Sequence, residues 1–304
     1  MAEGTWSTSP PPTGPPVAGL PPVAGPPPVT PAVNLPLAMT PPAGSPVDLG
    51  SGRRGRVRPW WGLGDVLLAV PVIVIVATVG SAIGLPFIDG GQLDDVMNGS
   101  ADLPTAMLAA SLLSQQLAQG LWPILVAKWK GLGPKRDWRL EFKPVDLIIG
   151  LGTAVMAVGL AAVASTIASN LVNLTDEAQA DNTQFLRDAK GTPWLYAFLF
   201  AVVIGAPLAE ELFFRGLTLR AFEKRAGPVA AVVGSTLFFT LPHFMGAGLA
   251  GTAVLFASIG AVGVVFGTIT VMVGRLWPSI FAHMIFNAIG AAGALGLFDQ
   301  VNGT

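Results

Sequence analysis

Residues 204–219, "IGAPLAEELFFRGLTL", put Glu210, Glu211 and Arg215 inside an otherwise apolar run. Each ionisable group near the middle of a membrane helix costs about 2.5–3.5 kcal/mol on insertion scales. Successive residues on a helix point about 100° apart, so Glu210 and Glu211 cannot serve the same face. Glu211 and Arg215 stand four apart with the acid on the N-terminal side, the favoured order for an ion pair. That pair neutralises itself. Glu210 has no partner in its own turn and is the candidate for chemistry, against a simpler reading of the whole cluster as a structural ion network.

Composition makes the membrane the relevant solvent. Of the 304 residues, 52% are hydrophobic and 12% charged, with a mean hydropathy of +0.62, where a soluble domain carries about 25% charged residues. With no cysteine, disulfides, thiolate chemistry and Cys-ligated zinc are excluded. The chain has two histidines, His243 and His283. No nucleic-acid partner is expected.

The reading is an all-α, polytopic membrane protein of about seven spans behind a proline-rich tail. Residues 1–50 hold 15 of the 27 prolines, and a segment of that composition cannot bury a core. Residues 1–58 are therefore expected to be a disordered cytoplasmic tail, mainly a solvated tether, with recruitment of an aromatic-lined partner domain as the other reading. Residues 59–304 form the membrane domain. Its expected spans are 64–86, 104–127, 145–168, 193–216, 228–245, 249–273 and 276–297, each near the length that crosses a bilayer. Trp60, Trp61, Trp122, Trp129, Trp138, Trp194 and Trp277 fall at or near span ends, as an interfacial belt would.

Loop charge sets the orientation. Of 17 basic residues, all but Arg187 and Lys190 fall before the first span, between the second and third, after the fourth (Arg215, Arg220, Lys224, Arg225) or between the sixth and seventh. The positive-inside rule then puts the N-terminus in the cytoplasm and the C-terminus outside.

Two further stretches carry polar groups. "FTLPH" places His243 late in the fifth span, and "HMIFN" places His283 and Asn287 four apart on one face of the seventh. A lone histidine on an apolar helix is more often a satisfied core residue, yet both of this chain's histidines lie in spans. If the chain turns at Ala226-Gly227, Glu210 and His243 are each about 25 Å from the turn and level across an antiparallel pair.

Read together, "EELFFR", "FTLPH" and "HMIFN" resemble the three motifs of the CPBP family, the type II CAAX prenyl endopeptidases and their bacterial bacteriocin-processing relatives. The resemblance covers roughly residues 195 to 290 and shows no departure at the motif positions. It implies an intramembrane endopeptidase with a catalytic region at about 193–297, cutting a membrane-associated peptide or protein in a polar cavity open to the cytoplasm. Carried across by position, Glu210 activates water with help from His243, His283 and Asn287 stabilise the oxyanion, and Glu211 with Arg215 holds the helices. A zinc site of Glu210, His243 and His283 is the alternative. It leaves Asn287 as the only oxyanion donor and lacks a His-Glu-x-x-His motif, so the metal-free mechanism is preferred. From another class, a proton-coupled transporter or a bacteriocin-immunity adaptor also fits a buried Glu, His and Asn. The first half of the chain shows no matching repeat, and no motif residue is lost. Both points weigh against these.

Overall fold

The computed structural model describes residues 59–99, 102–172, 183–243 and 248–298. The proline-rich tail lies outside them. The described residues are helical with no strand. In chain order they form α1 (Leu63–Ser81, continuing as a 3-10 turn over Ala82–Phe87), α2 (Gly90–Met97), α3 (Thr105–Lys130), α4 (Pro134–Asp137), α5 (Val145–Val172), α6 (Gln184–Asp188) and α7 (Trp194–Phe200). A π-helical segment over Ala201–Gly205, α8 (Ala206–Glu210) and a second π segment over Glu211–Thr218 follow without a break. Then come α9 (Leu219–Thr240), a 3-10 turn over Leu241–His243, α10 (Gly248–Val273) and α11 (Trp277–Ala294).

Side-chain size is distributed inversely to a soluble fold. On α5 the large residues Ile148, Val155, Val163 and Leu171 are exposed, while Gly150, Ala154, Ala157 and Ala161 are buried. Those small residues pack on Val262, Val265 and Phe266 of α10 and Ala282 of α11. Small residues let membrane helices approach closely while the large ones meet lipid. A Cβ on Gly150 would lie 2.8 Å from Phe281, so this crossing requires glycine. Among the described residues, four segments are long and apolar enough to cross a membrane: Leu63–Phe87, Val145–Val172, Trp194–His243 and Leu249–Val273. The chain is a multi-pass helical membrane protein. Of the seven expected spans, 64–86, 145–168 and 249–273 each match one of these segments, 193–216 and 228–245 share Trp194–His243, which is itself two helices, and 104–127 and 276–297 correspond to helices outside this set.

The reversal inside that long segment falls at Gly227, with φ 80° and ψ −177°, a conformation that favours glycine. Phe222 meets Phe238 at 5.8 Å, and Phe214 meets Phe239 at 5.2 Å. Pairs drawn from either side of Gly227 mean the chain doubles back there, as the Ala226-Gly227-Pro228 sequence predicts.

Below the site, at the end of the bundle that carries this turn, lies the largest apolar cluster. It joins Trp61 and Trp138 to Phe213, Phe214, Leu217, Leu276 and Ile280. This corrects the expected tryptophan belt. Trp129 is exposed, but Trp61 and Trp138 are buried and pack at 4.8 Å, because the Gly131–Leu140 loop folds inward against Gly216. Lys224, beside the hairpin turn, sits 3.3 Å over the Trp61 ring and donates to the Pro59 and Trp61 carbonyls. The hairpin is thereby tied to the start of α1. Asp137 accepts from the Trp61 indole and the Leu132 amide. Half-burial nonetheless leaves its carboxyl above the usual range.

Candidate active site

The helix that carries Glu210 is irregular because of Pro207. Proline has no N–H, so one carbonyl a turn earlier loses its donor. In the π register over Ala201–Gly205, the Ala206 N–H bonds the Ala201 carbonyl five residues back. The same register assigns the missing Pro207 donor to the Val202 carbonyl, and Asn287 Nδ2 donates to that oxygen at 2.8 Å. Gln116 on α3 donates Nε2 to the Ala201 carbonyl at 3.1 Å. Asn287 thus supplies the donor that Pro207 lacks, and Gln116 adds a second donor to a carbonyl that already has one. Segments of this kind concentrate at functional sites.

Close backbone approach holds α3 in place. A Cβ on Gly205 would lie 2.2 Å from Gln116 Oε1, and one on Gly120 would touch Ala209 at 3.5 Å. α3 therefore rests directly on the segment that presents Glu210.

The charged residues form a relay instead of a single pair. Arg215 Nη1 lies 3.1 Å from Glu211 Oε1, and both side chains are 0% exposed. Arg215 also donates to the Gly263 carbonyl at 3.4 Å, with its guanidinium 4.3 Å over the Phe239 ring. Arg215 is thus an internal group and not the loop charge that the positive-inside count took it for. The same Glu211 Oε1 accepts from His283 Nδ1 at 3.1 Å. A carboxylate only accepts, so Nδ1 carries the proton and Nε2 faces the other way, 3.8 Å from Glu210 Oε2. Glu211 therefore orients a ring as well as holding Arg215, a role the four-residue spacing did not reveal.

Glu210 differs from its neighbour in access, with 18% of its side chain exposed. It lines a cavity of about 330 Å³ together with His243, His283 and Asn287. All four residues expected to be catalytic are brought to one space. His243 Nδ1 lies 2.9 Å from the Phe239 carbonyl, which fixes Nδ1 as the donor and leaves Nε2 with its lone pair. Phe239 separates the two rings, 5.3 Å from His243 and 6.0 Å from His283.

Gln115 and Gln116 line the same cavity and were not singled out in the sequence. Their signal was there: adjacent carboxamides in an apolar span are costly unless they have partners. The cavity also runs toward Thr183, Phe185 and Leu186 beside α6, away from the hairpin turn at Gly227. The turn end is filled by the Trp61, Trp138 and Phe213 cluster.

Among the described residues, no group of three or more His, Asp or Glu side chains is placed to hold a metal ion. Nδ1 of each histidine is committed elsewhere.

Residues 192–289 match the family model described as type II CAAX prenyl endopeptidase Rce1-like. This segment is an Rce1-like domain. It contains every polar group of the relay and supports a membrane protease of the CAAX type. No curated protein and no solved structure matches the chain. α1, α3 and α5 lie outside the Rce1-like segment, although α3 supplies two of the cavity's amides.

Proposed function

We propose that the chain is an intramembrane endopeptidase in which Glu210 activates water inside the bundle. The observation that carries this reading is the one cavity shared by Glu210, His243, His283 and Asn287, with Glu211 and Arg215 sealed behind it. Glu210 takes a proton from water as the oxygen attacks a peptide carbonyl, and the lone pair on His243 Nε2 helps to orient that water. One Asn287 N–H is held by the Val202 carbonyl. The second is left for the developing oxyanion. His283 donates from Nε2 when both ring nitrogens carry a proton. Glu210 then passes its proton to the leaving amine, and the peptide bond is cut with water added across it.

No step calls on a metal. With the positive-inside orientation, the hairpin turn and the N-terminus face the cytoplasm, and the cavity runs toward the opposite leaflet. Reporter fusions at Thr304 and within residues 128–144 are expected to report opposite sides; the same side from both breaks the seven-span topology.

Incubating the purified chain in vesicles with a membrane-peptide library, then sequencing the products, tests the function. New termini are expected with the parent, unchanged by a membrane-permeant chelator and absent with Glu210→Gln. A parent that yields no products favours the transporter or adaptor reading. Loss of activity on chelation, restored by zinc, overturns the metal-free mechanism alone.

A further inference from the structure

Gln115 is a polar group that nothing in the fold uses. Its neighbour Gln116 is committed to the Ala201 carbonyl and packed on Gly205. Gln115 lines the cavity with Glu210 and Asn287 and makes no hydrogen bond among the described residues. The half-buried Gln115 shares that lining with apolar Leu108, Leu112, Val202 and Phe286 as well as with the polar groups of the site. A carboxamide without partners in such surroundings is costly. Its chemistry, one acceptor oxygen beside an N–H donor, complements the C=O and N–H of a peptide group.

The packing gives its height. Gln116 touches Ala201 and Gly205, and Gly120 touches Ala209, so α3 runs parallel to the catalytic helix. Gln115 stands level with about residue 204, six residues or about 9 Å along the axis from Glu210. An extended peptide covers 9 Å in two to three residues.

We propose that Gln115 binds the main chain of a peptide substrate, pairing with a backbone amide two to three residues from the bond that Glu210 attacks. This rests on the cavity taking peptides, and it adds a contact from outside the Rce1-like segment. Main-chain pairing is indifferent to side-chain identity, so the contact holds substrates of varied sequence in register. It acts in the ground state and the transition state alike and so sets KM more than kcat.

The test uses full-length chain carrying Glu210→Gln, so that peptide is bound and not consumed. A library of single-span apolar peptides in vesicles is screened for binding, and the tightest binder is remade with each backbone amide in turn replaced by an ester. An ester removes the N–H and weakens the carbonyl acceptor. One ester position is expected to weaken binding about tenfold. Gln115→Leu on the same background is expected to weaken the all-amide peptide about tenfold and to make that ester silent. Gln115→Met serves where the leucine variant does not fold. With Glu210 restored, the sensitive amide is expected two to three residues from the cut, and Gln115→Leu should raise KM with kcat within about twofold. A peptide that binds with this ester signature and is never cut removes the peptidase reading and leaves the Gln115 contact standing. Unchanged binding in both Gln115 variants, an ester penalty that persists in them, or a library with no binder overturns the proposal.

Discussion

α5 and the helix that carries Glu210 are both apolar in sequence, and the bundle treats them in opposite ways. α5 runs unbroken for 28 residues, shows its large side chains to lipid and buries a stripe of small ones. Its one buried charge, Asp146, sits at the helix start and pairs with Arg275 at 2.5 Å. The catalytic helix changes register twice between Ala201 and Thr218 and buries Glu211 and Arg215 completely. Lipid offers no hydrogen bonds, so irregular backbone and charge survive only where protein supplies the partners. Gln116, Asn287 and His283 are those partners. The difference between the two helices lies in what surrounds them more than in their hydropathy.

Removing a partner is the strongest way to break this contrast. Asn287→Ala strips the proposed oxyanion donor and also orphans the Val202 carbonyl. It is expected to lower kcat by about a hundredfold to a thousandfold and to cost about 1–3 kcal/mol of stability. Turnover assays and thermal unfolding in the same detergent check both. A loss of stability with kcat intact would make Asn287 a backbone prop only.

Gly205→Ala probes the register without touching chemistry. Its Cβ would collide with Oε1 of Gln116, a buried side chain whose Nε2 is held by the Ala201 carbonyl, so a loss of about 1–3 kcal/mol is expected. The double variant with Gln116→Ala, by relieving the clash, should recover part of it. No loss in the single variant would mean that α3 does not brace this segment. The smallest effect belongs to α5. Gly159 is exposed with nothing within 4 Å of an added Cβ, so Gly159→Ala should leave activity unchanged and shift stability by no more than about 1 kcal/mol, toward greater stability. A marked loss would place an unseen partner on that face.

Much of this was legible in the sequence. Glycine and proline at 227 and 228 gave the reversal, and counting residues from that turn put Glu210 level with His243. The motif spacings named the four cavity residues. What was not legible depends on tertiary contact. Reading Glu211 and Arg215 as a closed pair assumed a plain α-helix and could not know that His283 would share the same carboxylate oxygen. Pro207 announced a missing donor, but which carbonyl it orphaned depended on a π register in which Asn287, from another helix, meets the Val202 carbonyl. The tryptophans misled for a related reason: a loop residue such as Trp138 is interfacial by sequence, yet it folds inward because Gly216 leaves room for its ring.

The central claim is that two adjacent glutamates do different work, and the most direct measurement is a side-by-side comparison of their amides. Thermal unfolding and product formation are measured for Glu210→Gln and Glu211→Gln in the same vesicles. Glu210→Gln is expected to unfold within about 1 kcal/mol of the parent and to form no product. Glu211→Gln, by leaving Arg215 buried without its carboxylate, is expected to lose about 3–5 kcal/mol and the fixed orientation of His283 with it. A Glu210→Gln chain that still cuts peptides, or a Glu211→Gln chain as stable as the parent, would contradict the account.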